Sequence, residues 1–382
     1  MATGNGRHRR VAQHRRRRSS PPRKAAALGA VSVTVAVVAA ASSSGATTAE
    51  MTAASGVAAH PIALSRLPDS SVCANAPSAD DSRFYPGPSA SYVYDDMFRQ
   101  SFAIPFLSTH TPQGMAVWPD WDGLHHQLLL IGMYRPGAAS YLVALDPDTG
   151  LPYATVTTES SHFGGIAVVG DWLIAQDRPR RGPERVRRYR LKDLAMSLQR
   201  AHQTGTQPFV PHFGDLQEIY GASFMSAHDG HLWAGHYNAN GPDRMWEYAV
   251  SKTGVMTPVG RAYEVPAETQ GLLVTDDRFV FEGSLGQSNK GTMTVVERSP
   301  SISPVGRCFA TPSMGEGLAA LDDHVLVVYE SGAAAYSKAT NRVTNLHIAP
   351  YASLSALTNP SPSETAFSDP NSDDPSTGSH LE

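Results

Sequence analysis

Cysteine is scarce in this chain of 382 residues: there are two, Cys73 and Cys308. Two thiols are too few for a redox or metal role, and they read best as one bridge in an oxidising compartment. Acids are missing from the first 46 residues, which hold nine Lys or Arg. Long apolar runs are missing too, apart from the uncharged stretch Ala25 to Ala41. That stretch is slightly short and small-residue-rich for a membrane span. The chain also lacks a phosphate-cradling Gly loop, a Gly-x-Ser-x-Gly elbow and a His-Glu-x-x-His pair, so three common catalytic classes have no motif to stand on.

The basic start, the Ala-rich run and Ser42-Ser43-Ser44-Gly45-Ala46 form the pattern of a secretory signal over residues 1–46. Arg15 to Arg18 invite a twin-arginine reading, but no Phe-Leu-Lys follows, which favours the general route. Without those nine bases, 22 basic residues face 35 acidic ones, a balance of −13. An acidic exported domain is a poor partner for nucleic acid, and after cleavage nothing calls for a membrane. Residues 47–72 and 351–382 are rich in Ala, Ser, Thr, Pro and Asp and read as linker and disordered tail. The folded domain is then expected over 73–350, as a monomer.

Within it a unit restarts five times. Each restart is a small residue followed by an apolar run: Gly114-Met115-Ala116-Val117, Gly165-Ile166-Ala167-Val168, Ser223-Phe224-Met225, Gly271-Leu272-Leu273-Val274 and Gly317-Leu318-Ala319. The steps are 51, 58, 48 and 46 residues. Gly and Asp turns separate short β-rich runs in each unit, and such a period with four strands is a propeller blade. Phe102-Ala103-Ile104-Pro105 resembles the last strand of a unit but precedes the first. The fold class expected is therefore all-β, a five-bladed β-propeller closed by an N-terminal strand. In that closure residues 101–106 supply the outer strand of a last blade built from 316–338. A sandwich or a six-bladed ring is the alternative. A Cys73–Cys308 bridge would pin the N-terminal segment across the seam. Asp193 to His202 suggests a helical insertion, and Arg180 to Arg190 a solvated basic strand and loop.

Antiparallel pairing puts the start of each first strand and the end of each second at one end of the channel. The residues at those places are polar or aromatic in every unit. From them Gln113, Arg135, His162, Arg178, His236, Gln270, Glu282, Tyr329 and Glu330 are candidate ligand-binding residues, and Glu316 the candidate acid/base. Thr111, Ser161, Glu218, Tyr220, Gln176 and Asp177 share the same expected rim. Glu282, Glu316 and Glu330 either crowd together, which raises one pKa, or pair with Arg135 and Arg178. No cofactor is called for, although a ring of carboxylates and amides would suit calcium. Asp120-Trp121-Asp122-Gly123, Asp146-Pro147-Asp148-Thr149-Gly150 and His228-Asp229-Gly230-His231 sit where hairpin turns are needed.

Thr-Gln-Gly-Leu-Leu at 269–273, Phe-Glu-Gly-Ser-Leu-Gly-Gln-Ser at 281–288 and Gly-Glu-Gly-Leu at 315–318 resemble the corresponding blades of the glutamine cyclotransferases. With Pro-Gln-Gly-Met at 112–115, the chain also resembles a group of exported actinobacterial propeller proteins to which no activity is assigned. The first resemblance implies a five-bladed propeller that cyclises N-terminal glutamine without a metal. Gln270 would line its pocket and Glu316 would shuttle the proton. Glu316 is also similar to one ligand of the acidic metal ring in gluconolactonase-like propellers. The functions expected are binding of a small molecule or peptide end at the channel mouth, a cyclotransferase- or lactonase-like activity, or an extracellular scaffold.

Overall fold

The computed structural model describes residues 73, 81–177, 183–298 and 307–357. Expectations for the export signal, the linker and Arg178 lie outside those residues. Among the described residues no helix is long and apolar enough to cross a membrane.

Five four-stranded antiparallel sheets make the fold. Blade 1 holds β2 (Thr111–Trp118), β3 (Leu128–Tyr134), β4 (Ser140–Leu145) and β5 (Pro152–Thr158). Blade 2 holds β6 (Ile166–Val169), β7 (Trp172–Asp177), β8 (Arg185–Arg190) and β9 (Gln217–Glu218). Blade 3 holds β10 (Phe224–His228), β11 (His231–Gly235), β12 (Asp243–Val250) and β13 (Met256–Val265). Blade 4 holds β14 (Thr269–Val274), β15 (Arg278–Gly283), β16 (Gly291–Glu297) and β17 (Arg307–Thr311). Blade 5 holds β18 (Gly315–Leu321), β19 (His324–Tyr329) and β20 (Asn345–Pro350), and β1 (Arg99–Ala103) completes it from the other end of the chain. The ring is closed by an N-terminal strand, so no blade is left with a missing strand at the seam.

The structure changes several details. The third strand of blade 5 is β20, beyond the 316–338 expected. Inside that expected range, two short 3₁₀ turns, Glu330–Gly332 and Ala334–Tyr336, follow β19 in place of a further strand. Glu218 belongs to the outer strand β9, not to the start of an inner strand. Helix α3 (Tyr351–Ala356) carries ordered chain past the boundary expected at 350, with Leu354 buried against blade 5.

The small residue that opens each unit has a steric reason. A Cβ on Gly114 would sit 2.7 Å from the Phe163 carbonyl oxygen, and one on Gly165 would sit 2.6 Å from that of Ala222. A Cβ on Gly271 would land on the Glu316 carbonyl oxygen, and one on Gly317 would sit 2.5 Å from the Met115 nitrogen. Each inner strand thus leans its backbone on the next, and the last leans on the first. Between blades 3 and 4 the same job falls to a hydrogen bond, Val274 N–H to Ser226 Oγ at 3.1 Å.

Apolar faces of neighbouring blades fill the space between them. Leu130, Leu142 and Phe163 pack against Ile166 and Tyr189 between blades 1 and 2. Helix α2 (Leu191–Thr204) adds Leu194, Leu198 and Ala201, spaced at helical intervals, and ends at Gly205 with φ +66°. The expected insertion is there, two residues longer at each end.

The N-terminal segment runs from blade 4 to blade 5. Cys73 is bonded to Cys308 of β17. Ser91 caps helix α1 (Tyr92–Met97) by accepting from Tyr94 N–H, while its own hydroxyl donates to the Ala310 carbonyl. The bridge closes a separation of 235 residues.

Candidate functional site

Three inner strands depart from regular pairing at the same place. Register breaks lie between Pro112 and Met115, between Thr269 and Gly271, and between Gly315 and Leu318. The residues inside the breaks are Gln113, Gln270 and Glu316, each directly before the glycine that meets the next blade. A bulge leaves a residue out of the ladder and re-aims its side chain. The glycines are therefore steric necessities, and the amides and acid beside them are what the bulges display.

Those side chains form two acid–amide pairs. Gln270 Nε2 donates to Glu316 Oε1 at 3.0 Å. Gln113 Nε2 donates to Glu330 Oε1 and, at 3.0 Å, to its own neighbour's carbonyl at Pro112. Glu316 and Glu330 are both buried. Tyr336, brought back by the second 3₁₀ turn, donates to Glu330 and lies in the field of both acids and of Tyr134. Burial pushes Glu330 up to about 7, against the opposing pull of the Gln113 and Tyr336 hydrogen bonds. Burial and the two acids push the Tyr336 hydroxyl up as well. An acid of this kind exchanges a proton at neutral pH. Tyr336 was missed in the sequence because it lies at neither end of an inner strand, the only places from which candidates were drawn.

The other candidates separate into groups. His162 lies against Tyr134 with ring centroids 5.0 Å apart and the planes tilted by 44°, both half-buried. Arg135 is exposed. His236 is exposed and bonded to Asp243 at 2.8 Å in its own blade. Tyr220 is exposed and rests on Trp246. Asp177 is held by Arg185 and Arg187, so part of the basic run expected to be solvated is neutralised within blade 2. Arg188 of that run is buried and donates to the Asp215 carbonyl at 2.8 Å.

Glu282 and Tyr329 lie apart from the mouth. Glu282 is fully buried between blades 4 and 5 and accepts from Thr311 Oγ1 at 2.6 Å. A Cβ on Gly315 would overlap its carboxyl group, so the first glycine of Gly-Glu-Gly-Leu exists to make room for it. Desolvation pushes Glu282 up to about 8, which keeps it protonated at neutral pH. Tyr329 is fully buried, with its hydroxyl 2.7 Å from that of Tyr94.

At the opposite end the channel is open. A cavity of about 320 Å³ runs between the inner strands, lined by Val117, Val168, Ala227, Ala320 and their neighbours. At its outer edge His228 lies 3.3 Å from Asp276. His228-Asp229-Gly230-His231 is a two-residue hairpin turn with φ +48° and +72° at its centre, as expected. Asp120 and Asp146 likewise cap their own turns, accepting from the His125 and Asp148 amides. Among the described residues no group of three or more His, Cys, Asp or Glu side chains could hold a metal ion.

Fold and mouth together define a five-bladed β-propeller with buried acids at one end of its channel. No protein-family model matches the chain, and no curated protein matches it in sequence. Among solved structures it is similar to the GH43_1 enzyme from Xanthomonas citri complexed with xylose. The TM-score is 0.42 at 11% identity, over 68% of this chain and 91% of that one. The RRP9 WD40 repeats give a TM-score of 0.34 at 8% identity, over 70% of this chain and 99% of that one. No statement on ligand or activity follows from likeness at this level.

Proposed function

We propose that the end of the channel carrying Gln113, Gln270, Glu316 and Glu330 binds a small molecule or the end of a peptide. The observation that carries this reading is the set of three matched bulges. In each bulge the residue before the glycine is an amide or an acid, and the three bulges bring two acid–amide pairs together at one end of the channel. A ligand with a cationic or donor group, such as a peptide α-amine, suits two acids held by amides. His162, Tyr134 and Arg135 sit farther out and would meet the rest of it. An exported protein fits the disulfide, which needs an oxidising compartment.

A second reading gives Glu316 a catalytic part, in line with the resemblance to glutamine cyclotransferases. The α-amine of an N-terminal glutamine would attack its own side-chain amide carbon. The new C–N bond closes a five-membered ring and ammonia leaves. Glu316 would take the amine proton and return it to the leaving nitrogen, with Glu330 as a neighbour able to hold a proton near neutral pH. The pairing of Gln270 with Glu316 supports this reading because it fixes the carboxyl at the mouth.

One experiment addresses both. Glutaminyl dipeptides are added to wild-type protein and to Glu316→Gln, with binding followed by calorimetry and ammonia release measured in parallel. Binding without ammonia, weakened about tenfold in the variant, supports the binding site alone. Ammonia release lost in the variant supports catalysis. Neither binding nor release would remove the peptide reading.

A further inference from the structure

The connection from β19 to β20 interrupts blade 5 between Tyr329 and Asn345 and holds two 3₁₀ turns. Hydrogen bonds fix its course along the mouth-side rim. Ala334 N–H donates to the Leu107 carbonyl, just ahead of blade 1, at 2.8 Å, and Thr340 N–H donates to the Gln287 carbonyl of a blade 4 loop at 2.9 Å. Its base is tied as well, because Arg342 Nη2 donates to the Gly332 carbonyl at 2.9 Å. A Cβ on Gly332 would overlap the Val343 carbonyl oxygen, so the two limbs of the connection touch backbone to backbone.

What this course delivers to the mouth is one phenol. Ala334 and Ala335 before it, and Ser337 and Lys338 after it, are exposed, whereas Tyr336 is half-buried. Its hydroxyl donates to Glu330, and Glu316 and Tyr134 lie close enough to act on it. Gln113 Nε2 also donates to Glu330. The groups that face this acid and its phenol are therefore Gln113 of β2, Tyr134 at the end of β3 and Glu316 of β18. An amide N–H and a phenol O–H both favour the ionised form of a carboxyl group, and neither cancels its charge. A Lys or Arg in the place of Tyr336 would pair with the acid and leave no charge for a ligand.

Resting on the reading of this mouth as a binding site, we infer that Tyr336 is its positioning residue: the hydroxyl holds the ionised Glu330 carboxyl in place to receive a ligand's primary ammonium group. Tyr336 acts through Glu330 and makes the site a receptor for the charged amine rather than the neutral one. Removing the hydroxyl takes away a donor to the ionised form, so Glu330 should bind its proton about tenfold more tightly. An ammonium group needs the ionised acid, so the loss of affinity grows as pH falls.

Carboxyl ¹³C NMR of the ligand-free full protein tests this in wild type, Tyr336→Phe and Tyr351→Phe. Y336F keeps the ring and should fold. Tyr351, bonded to Thr275 and Asp277, is the control. The Glu330 titration should rise above its starting value of about 7 in Y336F and stay there in Y351F. Calorimetry then reads a glutaminyl dipeptide and its N-acetylated form. Y336F should weaken the free-amine peptide about tenfold at pH 6 but only about threefold at pH 7.5. The acetylated peptide, which has no ammonium group, should not bind. Glu330 unmoved in Y336F would overturn the assignment, as would equal losses at both pH values or equal binding of the acetylated peptide. If Glu330 moves but wild type binds no peptide, the ammonium part falls together with the binding reading, and the hold of Tyr336 on the acid stands.

Discussion

At one end of the channel the inner strands meet backbone to backbone, and Gln113, Gln270, Glu316 and Glu330 are packed into pairs with little exposure. At the other end the same five strands spread, and Val117, Val168, Ala227 and Ala320 share the lining with Ser226, His228, Thr275 and Asp276 around open space. One strand set therefore yields a tight end and a loose end. The difference comes from the glycines. They let backbones touch at the start of each strand, and the side chains that follow hold the strands apart farther on. Tightness also makes the polar end chemically sharp, because acids that cannot reach water change their proton affinity.

The strongest test of this contrast is steric. Gly271→Ala drives a Cβ into the Glu316 carbonyl, which belongs to backbone and cannot swing away. A loss of about 3 kcal/mol in urea unfolding is expected. Ala320→Ser at the loose end should change stability by less than about 0.5 kcal/mol. Equal effects would erase the difference between the ends.

Gln113→Leu comes next. It leaves Glu330 without its amide donor, at a cost of about 2 kcal/mol in the same assay. The variant should also move the Glu330 titration upward from about 7, because the hydrogen bond that favours the ionised form is gone. Carboxyl ¹³C NMR would read that shift, and a downward movement would contradict the pairing.

A pH series sharpens the comparison further. Glu282 and Glu330 have folded pKa values raised to about 8 and about 7, from an ordinary value of 4.5. Between those limits the folded chain holds protons that the unfolded chain has released. Stability from these groups is therefore full below about 4.5 and is lost as pH rises through 7 to 8. Glu282→Gln mimics the protonated acid and should flatten this decline, gaining more than about 1 kcal/mol over wild type at pH 8.5 but not at pH 5. Thermal melts at the two pH values decide it.

The smallest effect belongs to the loose end. Burial, with Arg298 as a lesser cause, lowers the His228 pKa. Its contribution to stability is then lost as pH falls below 6.5. His228→Gln should remove that slope while shifting stability at pH 8 by less than about 0.5 kcal/mol.

Much of the ring was legible without coordinates. The restarts at Gly114, Gly165, Ser223, Gly271 and Gly317 count the blades because each blade repeats one local problem, a strand whose backbone must touch its neighbour. Local problems leave local marks. The same logic put Gln113, Gln270 and Glu316 at the same place in their strands, while Cys73 and Cys308 could be paired because the chain has no other cysteine. Where the chain broke its own period, the sequence misled. The connection from β19 to β20 fell inside the range 316–338 expected to supply the last blade, because nothing in its Ala, Gly and Tyr residues marks where the blade is interrupted.

The order of the blades and the seam closed by an N-terminal strand could be read along the chain alone. These depend on neighbours in the chain and on hydrophobic alternation. Packing between distant parts of the chain set the rest: Glu282 is sealed between blades beside Thr311, Glu316 is paired with Gln270, and Tyr336 returns to Glu330. Proton affinity is set by which distant groups exclude water from a side chain, and no spacing along the chain records that.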